Sequence, residues 1–521
     1  MSIDFIFDKT KSLFIFILVA FTHLVFGATF YTSPTGTSSA GSFASPMNLT
    51  SAFSLSLSAG DSIVLRGGLY NFSSSQTISK TGTAEKNIHI VAYKNENPIL
   101  DFRTQPYSSS NIGLKISGNY LHVKGITVQG AGDNGIQVTG NYNWIEFCTT
   151  RWNCDSGLQL KTGSNNLISN CDSYENFDYM TGGTSSPDYG GNADGFADKQ
   201  YTNVGINTFN GCRSWRNSDD GWDHFEKIGT TVIDSCWCYA NGPASFDMTE
   251  HIRFKTDSAV WFSKFKNTSG RYVVKNYGNG NGFKLGGNYT AHNATLYHCV
   301  SVQNTVKGFD QNNNNGTMTI FNCTGYQNNS DYGFSNSSYG SLIIKNCASL
   351  NSKSTNVLKA KTVTQTNNSW NTGYACITTD FESLDVSQLL ATRQSNGSLP
   401  EISLLHQSAT SGMIDKGINI GKSFLGTSPD LGAFEYGVKT AISDLSLSNE
   451  TRIMYSETTH EIIFSGMVNN ISIYNMLGQK IVEYNDISTI NINTTNWNKG
   501  VYIAVIKDNN NKLFSRKLRI K

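Results

Sequence analysis

Three short segments of this sequence set charged residues in a common grammar that could do chemistry. Asn192-Ala-Asp-Gly-Phe-Ala-Asp-Lys199 carries Asp194, Asn217-Ser-Asp-Asp-Gly-Trp-Asp223 carries Asp219, Asp220 and Asp223, and Asn279-Gly-Asn-Gly-Phe-Lys-Leu-Gly-Gly287 carries Lys284. In each, a polar residue, a glycine and an aromatic residue follow one another. Brought together, the four carboxylates would repel one another and resist ionisation unless a cation neutralised them. Calcium fits best, because it accepts roughly six to eight oxygens in irregular geometry, and no His or Cys cluster is present to favour zinc. A lysine beside such an ion, partly shielded from water, has its ammonium form disfavoured and serves as a proton acceptor. Blander assignments stand beside these: carboxylates that are merely solvated or cap turns, and Lys284 as a surface ion pair with Asp223 or Asp310. Asp198 is a rival to Asp194.

The elements that must position these residues come from a repeat. Cys148, Cys171, Cys212, Cys236, Cys299, Cys323 and Cys347 are separated by 23, 41, 24, 63, 24 and 24 residues, so a unit near 24 recurs with insertions. Five positions after six of these cysteines stands an asparagine (Asn153, Asn176, Asn217, Asn241, Asn304, Asn328), and Asn351 comes one place early after the seventh. In phase runs a glycine followed by a large apolar residue: Gly135-Ile136, Gly157-Leu158, Gly195-Phe196, Gly221-Trp222, Gly282-Phe283, Gly308-Phe309 and Gly333-Phe334. Repeats of this length, built from short alternating runs such as Thr231-Val-Ile-Asp-Ser-Cys236, specify an all-β solenoid of three short strands per coil. The cysteines then form a ladder of small buried thiols, with a disulfide reading open for Cys154, Cys238 and Cys376, and the asparagines are turn residues bonded from coil to coil.

Stacked strands lie about 4.8 Å apart and side chains alternate, so the outward position after each aromatic reads Gln137, Gln159, Ala197, Asp223, Lys284, Asp310 and Ser335. The position before each glycine reads Asn134, Ser156, Asp194, Asp220, Asn281, Lys307 and Tyr332. Acids and Lys284 gather on three consecutive rungs once residues 243–278 are taken as an inserted loop. A second insertion, about 177–193, precedes Asp194, and loops inserted around one patch of a solenoid wall a cleft.

Composition bounds the rest. The 521 residues are 38% hydrophobic and 15% charged with a formal net charge of +1, which excludes a disordered chain and gives no basic footprint for nucleic acid. An apolar run over residues 13–26, after Lys9 and Lys11, reads as a signal peptide spanning 1–27; an uncleaved anchor is the weaker reading, the run being shorter than the roughly 20 residues a span needs. From 438 to 521 alternating runs change character and specify a small β-sandwich without a catalytic cluster. A carbohydrate-binding module is one reading of it. A capped solenoid gives no reason to expect more than a monomer.

The three segments, in their order, resemble the active-site segments of polysaccharide lyase family 9, which includes pectate lyases and exopolygalacturonate lyases. The resemblance implies a right-handed parallel β-helix over 28–437, calcium held by Asp194, Asp219, Asp220 and Asp223, and Lys284 as the base in β-elimination on an acidic plant-cell-wall polysaccharide such as polygalacturonate. An alkaline optimum then follows from the ordinary lysine pKa near ~10.4. The long insertion before Lys284 departs from the compact family pattern and bears on the substrate subsites. Lys199, Lys227, Arg253 and Arg271 are weaker candidates for binding substrate carboxylates. Tyr474-Asn-Met-Leu-Gly-Gln-Lys480, Trp497-Asn-Lys-Gly-Val-Tyr502 and Arg516-Lys-Leu-Arg-Ile-Lys521 resemble the C-terminal sorting domain of type IX secretion cargo. That implies passage through the outer membrane by the type IX machinery, then release or attachment at the cell surface.

Two other function classes remain open on the residues. Asp219 and Asp220 suit an inverting glycoside hydrolase, whose acid and base stand roughly 6.5 to 9.5 Å apart, but companion Gly-His-Gly and Arg-Ile-Lys segments are missing from the solenoid. A non-catalytic adhesin or glycan-binding scaffold needs no acid cluster at all. His224 follows Asp223 directly, and adjacent strand residues face opposite ways, so an Asp–His catalytic pair is not expected.

Overall fold

The computed structural model describes residues 27–182, 188–201, 205–254, 259–437, 452–456, 460–475, 479–508 and 513–520; the expected signal peptide lies, but for Gly27, outside them. The chain divides into two compact units at residues 442 and 443. In the first, each coil gives one strand to each of three parallel sheets, which hold twelve, ten and ten strands among the described residues, and the coils wind into a right-handed β-helix. Inside the twelve-stranded sheet a continuous aliphatic line runs Ile63, Ile90, Val123, Ile145 and Ile168, as expected of strands buried in a parallel stack.

The repeat columns are physical ladders. All ten cysteines are thiols, and within the column Cys148 N donates to Cys171 Sγ at 3.4 Å. The readings of disulfides at Cys154, Cys238 and Cys376 are therefore corrected. Backbone N–H groups of Asn153, Asn176, Asn217, Asn241 and Asn304 each donate to the side-chain oxygen of the next asparagine. The series ends on Asp331, whose Oδ1 accepts from Asn328 N at 3.2 Å and Nδ2 at 2.8 Å. Asn351 stands outside it, exposed. Glycine precedes each aromatic because the coil closes here against the ladder: a Cβ on Gly221 would lie 2.1 Å from Cys238 Sγ and 3.0 Å from Asn241 Nδ2.

The aromatic column stacks Phe196, Trp222, Phe283, Phe309 and Tyr332 with centroids 4.7 to 5.2 Å apart. The last member corrects the expected register. Tyr332, not Phe334, pairs with Phe309, so Gly333 and not Ser335 follows Asp310 in the outward column, and Tyr332 is buried rather than outward. Gly333 has another purpose: the stem of Lys307 crosses it, and a Cβ there would lie 2.3 Å from Lys307 Cδ.

The helix Leu49–Ser54, capped by the Asn48 side chain on Ser51 N, packs Leu49, Ala52 and Phe53 against the first coils. The two insertions form one small core of their own around Phe177, Tyr179, Tyr189, Phe246, Phe262 and Val274. They are tied by Tyr277 N donating to Tyr189 O at 2.7 Å. The second unit is an antiparallel sheet containing Glu461–Asn475, Lys480–Asn493, Gly500–Asp508 and Leu513–Ile520, around Ile462, Ile471, Ile473 and Ala504.

Candidate active site

Three neighbouring strands of one sheet, Phe196–Asp198, Trp222–Asp223 and Phe283–Lys284, build the site. Their register sets Ala197 opposite Asp223 and Asp223 opposite Lys284, while the aromatic preceding each is buried and fixes which way its neighbours face. Asp194 and Asp220 stand one coil apart, Asp220 N donating to Asp194 Oδ1 at 3.2 Å.

Oxygens of Asp194, Asp220 and Asp223, all buried, lie within 4.8 Å of one another. Each carboxylate is oriented by neutral donors: Ser156 Oγ to Asp194 Oδ2 at 2.9 Å, Asn281 N and Nδ2 to Asp220 Oδ1 at 2.9 and 2.8 Å, and Phe225 N to Asp223 Oδ1 at 2.9 Å. Two ammoniums face what is left. Lys284 Nζ stands 2.8 Å from Asp220 Oδ2 and 3.1 Å from Asp223 Oδ1, and Lys199 Nζ 3.2 Å from Asp194 Oδ2 and 2.6 Å from Asp223 Oδ2. Lys284 is thus the charged partner of Asp220 Oδ2. Asp219 lies outside the group of three; it is buried and accepts from Asn279 N at 2.6 Å.

The electrostatics follow. Burial, reinforced by neighbouring carboxylates, pushes Asp194 and Asp219 well above the usual carboxylate range. Asp223 is buried too, but the Lys199 and Lys284 ammoniums hold it below that range. Burial alone would favour a neutral Lys284 amine; the carboxylates of Asp220 and Asp223 outweigh it and hold its pKa well above ordinary. The expected disfavoured ammonium is thus reversed while Lys284 is the counter-ion. An all-oxygen set with excess negative charge fits calcium and not a softer metal.

The other candidates separate. Lys199 belongs to the site. Lys227 is fully buried, 3.1 Å from Asp198 and bonded to Gln200, and Asp198 takes Thr231 and Asn207 rather than joining the carboxylates. Arg253 is fully buried, donating to Tyr179 Oη and to the carbonyls of Gly130 and Gln105 at 2.7 to 2.8 Å. Substrate contact by Lys227 and Arg253 is therefore corrected: both fasten the fold, Arg253 pinning the insertion to the coils. Arg271 pairs with Asp247 on the insertion surface. His224 is buried, with Nδ1 on Lys284 O at 2.8 Å and its ring stacked on His292. Sequence reasoning missed Asp178, whose Oδ1 accepts from Ala193 N; its only signal was its place in an insertion. It also missed Phe225, whose exposed ring lies 5.7 Å from Lys284 Nζ.

Comparison with known proteins bears on the fold and the family. Residues 30–356 match the family described as Pel9A-like, right handed beta helix region, and residues 455–521 match the Secretion system C-terminal sorting domain, which marks a secreted or cell-surface protein. Pectate lyase L of Dickeya dadantii (strain 3937) is 35% identical over 419 residues, covering 78% of this chain and 90% of that protein. The crystal structure of pectate lyase Pel9A superposes with a TM-score of 0.66 at 34% identity, covering 79% of this chain and 97% of that one. A rhamnogalacturonan lyase at 24% identity and a TM-score of 0.60, covering 74% and 97%, shares the fold. By the extent of the family match and the identity to its relatives, the chain belongs to the Pel9A-like right-handed β-helix family of polysaccharide lyases.

Proposed function

We propose that the chain is a calcium-dependent pectate lyase that cleaves polygalacturonate by β-elimination, with Lys284 as the base. The observation that carries this is Lys284 Nζ at 2.8 and 3.1 Å from two members of a buried carboxylate cluster, in a chain 35% identical to a pectate lyase. Asp194, Asp220 and Asp223, with Asp219 behind them, would hold the ion. Bound there, calcium supplies neutralisation of the uronate carboxylate, which makes the C5 proton more acidic.

The protein's own groups do the rest. Asp220 and Asp223, were they to hold that ion, would no longer keep the proton on Lys284, and the free amine of Lys284 would take the C5 proton. The C5–H electron pair becomes the C4=C5 double bond, the C4–O bond breaks with its pair, and the leaving oxygen is protonated by water. Lys199 keeps positive charge beside the carboxylate being recognised, and Phe225 offers an apolar ring face next to the base. The type IX machinery is the proposed export partner, reading the C-terminal sorting domain.

The test is polygalacturonate with calcium and then with excess chelator, following the ultraviolet absorbance of the unsaturated product alongside reducing ends. Absorbance that needs calcium and disappears in Lys284→Ala supports the reading; reducing ends without absorbance mean hydrolysis and overturn it.

A further inference from the structure

The sheet narrows at the coils that carry the site. Ile136–Val138, Leu158–Leu160 and Phe196–Asp198 each give it three residues, but Trp222–Asp223 and Phe283–Lys284 give two. Beyond Lys284 and Leu285 the chain reads Gly286-Gly287, so the regular ladder ends at the base, where the main chain has least support from the sheet.

Two buried imidazoles supply that support. His224, the residue after Asp223, donates to the carbonyl of Lys284 twice, through its backbone N at 3.2 Å and its Nδ1 at 2.8 Å. One residue on, Leu285 O accepts from His292 Nδ1 at 3.1 Å and Asn314 Nδ2 at 2.6 Å. The two rings stack with centroids 4.7 Å apart and planes inclined by 23°, and both are fully buried. A carbonyl oxygen only accepts, so each ring carries a hydrogen on Nδ1. The far ends of the rings differ. His292 Nε2 rests on Thr231 Oγ1 at 3.0 Å, whereas His224 Nε2 has no hydrogen-bond partner among the described residues. The His224 side chain therefore makes one hydrogen bond, and it goes to the main chain of Lys284. Burying an imidazole with one nitrogen unserved carries a cost that a leucine or phenylalanine in the same place would not. What the histidine adds is the donor at Nδ1.

We propose that His224 is a positioning residue for the base: its Nδ1 fixes the Lys284 carbonyl, and with it the point from which the lysine side chain reaches the substrate, while the stacked ring of His292 braces His224. The ion pairs of Lys284 Nζ with Asp220 and Asp223 cannot serve this purpose throughout a reaction, because a lysine works as a base only as its free amine. A grip on the carbonyl is independent of the charge at Nζ. No proton transfer is assigned to His224, which is sealed from the outward face. The inference rests on Lys284 being the base, as proposed above.

The test separates the ring from its donor, in the full chain with polygalacturonate and saturating calcium chloride. His224→Phe keeps a ring against His292 and removes the donor; His224→Asn removes the ring and keeps an amide donor near the place of Nδ1. His224→Phe is expected to lower kcat by about tenfold to a hundredfold, the scale on which a misplaced reacting group costs rate. Its KM and calcium dissociation constant should stay within about twofold of wild type, and His224→Asn should keep kcat within about threefold. A packing role predicts the reverse order, with Asn worse than Phe. That order, an unchanged His224→Phe, equal losses in both variants, or a kcat loss matched by KM or calcium affinity overturns the inference, and an inactive Lys284→Ala alongside leaves the proposed function standing. Should His224→Phe fold poorly by near-ultraviolet circular dichroism, His224→Leu carries the same expectation. Undiminished activity in Lys284→Ala, or none in the wild type, overturns both readings.

Discussion

Lys199 and Asp223 are joined across two coils, Nζ to Oδ2 at 2.6 Å, by an ammonium that is mostly enclosed. The same lysine reaches Asp194, so it occupies with positive charge the two carboxylates that a cation must claim. Lys199→Met is expected to lower the calcium dissociation constant by about tenfold, or ~1.4 kcal/mol, in calorimetric titration. Weaker binding would mean that Lys199 holds the carboxylates in place instead of competing.

Lys284→Ala should lower kcat on polygalacturonate by about a hundredfold to ten-thousandfold, the usual range for a lost general base, while calcium affinity stays or improves. Lys284→Arg should be nearly as inactive, because a guanidinium does not give up its proton in the working range. Since a lysine base works as its free amine and an ordinary lysine titrates near ~10.4, the wild-type rate should climb on the alkaline side. A rate maximum in acid would sink the lysine assignment.

Asn217 accepts from Asn176 and donates to Asn241, Ser214 and the Ser173 carbonyl, all buried. Asn217→Ala leaves several of these groups without partners, and a loss of about 2–4 kcal/mol is expected in denaturant unfolding. Asn351→Gly, outside the ladder, should change stability by about 0.5 kcal/mol or less. Equal losses at both positions would refute the distinction.

Burial raises the Asp331 carboxyl from 3.8 to about 6. A carboxyl whose folded pKa lies above its unfolded value binds its proton more tightly in the folded state. Its stability contribution is therefore complete below about pH 4 and is lost as pH rises through about 6. Asp331→Asn, which keeps an acceptor for Asn328, should flatten stability between pH 4 and 7; an unchanged slope would assign that titration elsewhere.

How far this architecture could be read from the sequence depended on spacing. The columns through Gln137, Gln159, Ala197, Asp223, Lys284 and Asp310 were legible because each member sits a fixed distance from a buried aromatic, and parallel register carries that distance from coil to coil. Phe334 misled because Gly333 imitates the repeat while serving the stem of Lys307. Asp331 was invisible as the end of the asparagine ladder because it acts from three residues downstream of Asn328, outside the period. Arg253 and Lys227 looked like free cations because their partners, main-chain carbonyls and Asp198, are set by tertiary folding that no periodicity encodes.

The column of buried thiols also sets an order of events. Once the coils have closed, Cys148, Cys171, Cys212, Cys236, Cys299, Cys323 and Cys347 are sealed from any oxidant, so this column is indifferent to the redox state around it, whereas Cys376 is partly exposed. Before closure the same thiols are accessible and able to pair wrongly. The fold therefore trades the covalent bracing common in exported proteins for a race, in which winding of the coils must outpace oxidation, and whichever process is faster decides how much of the chain reaches its working form.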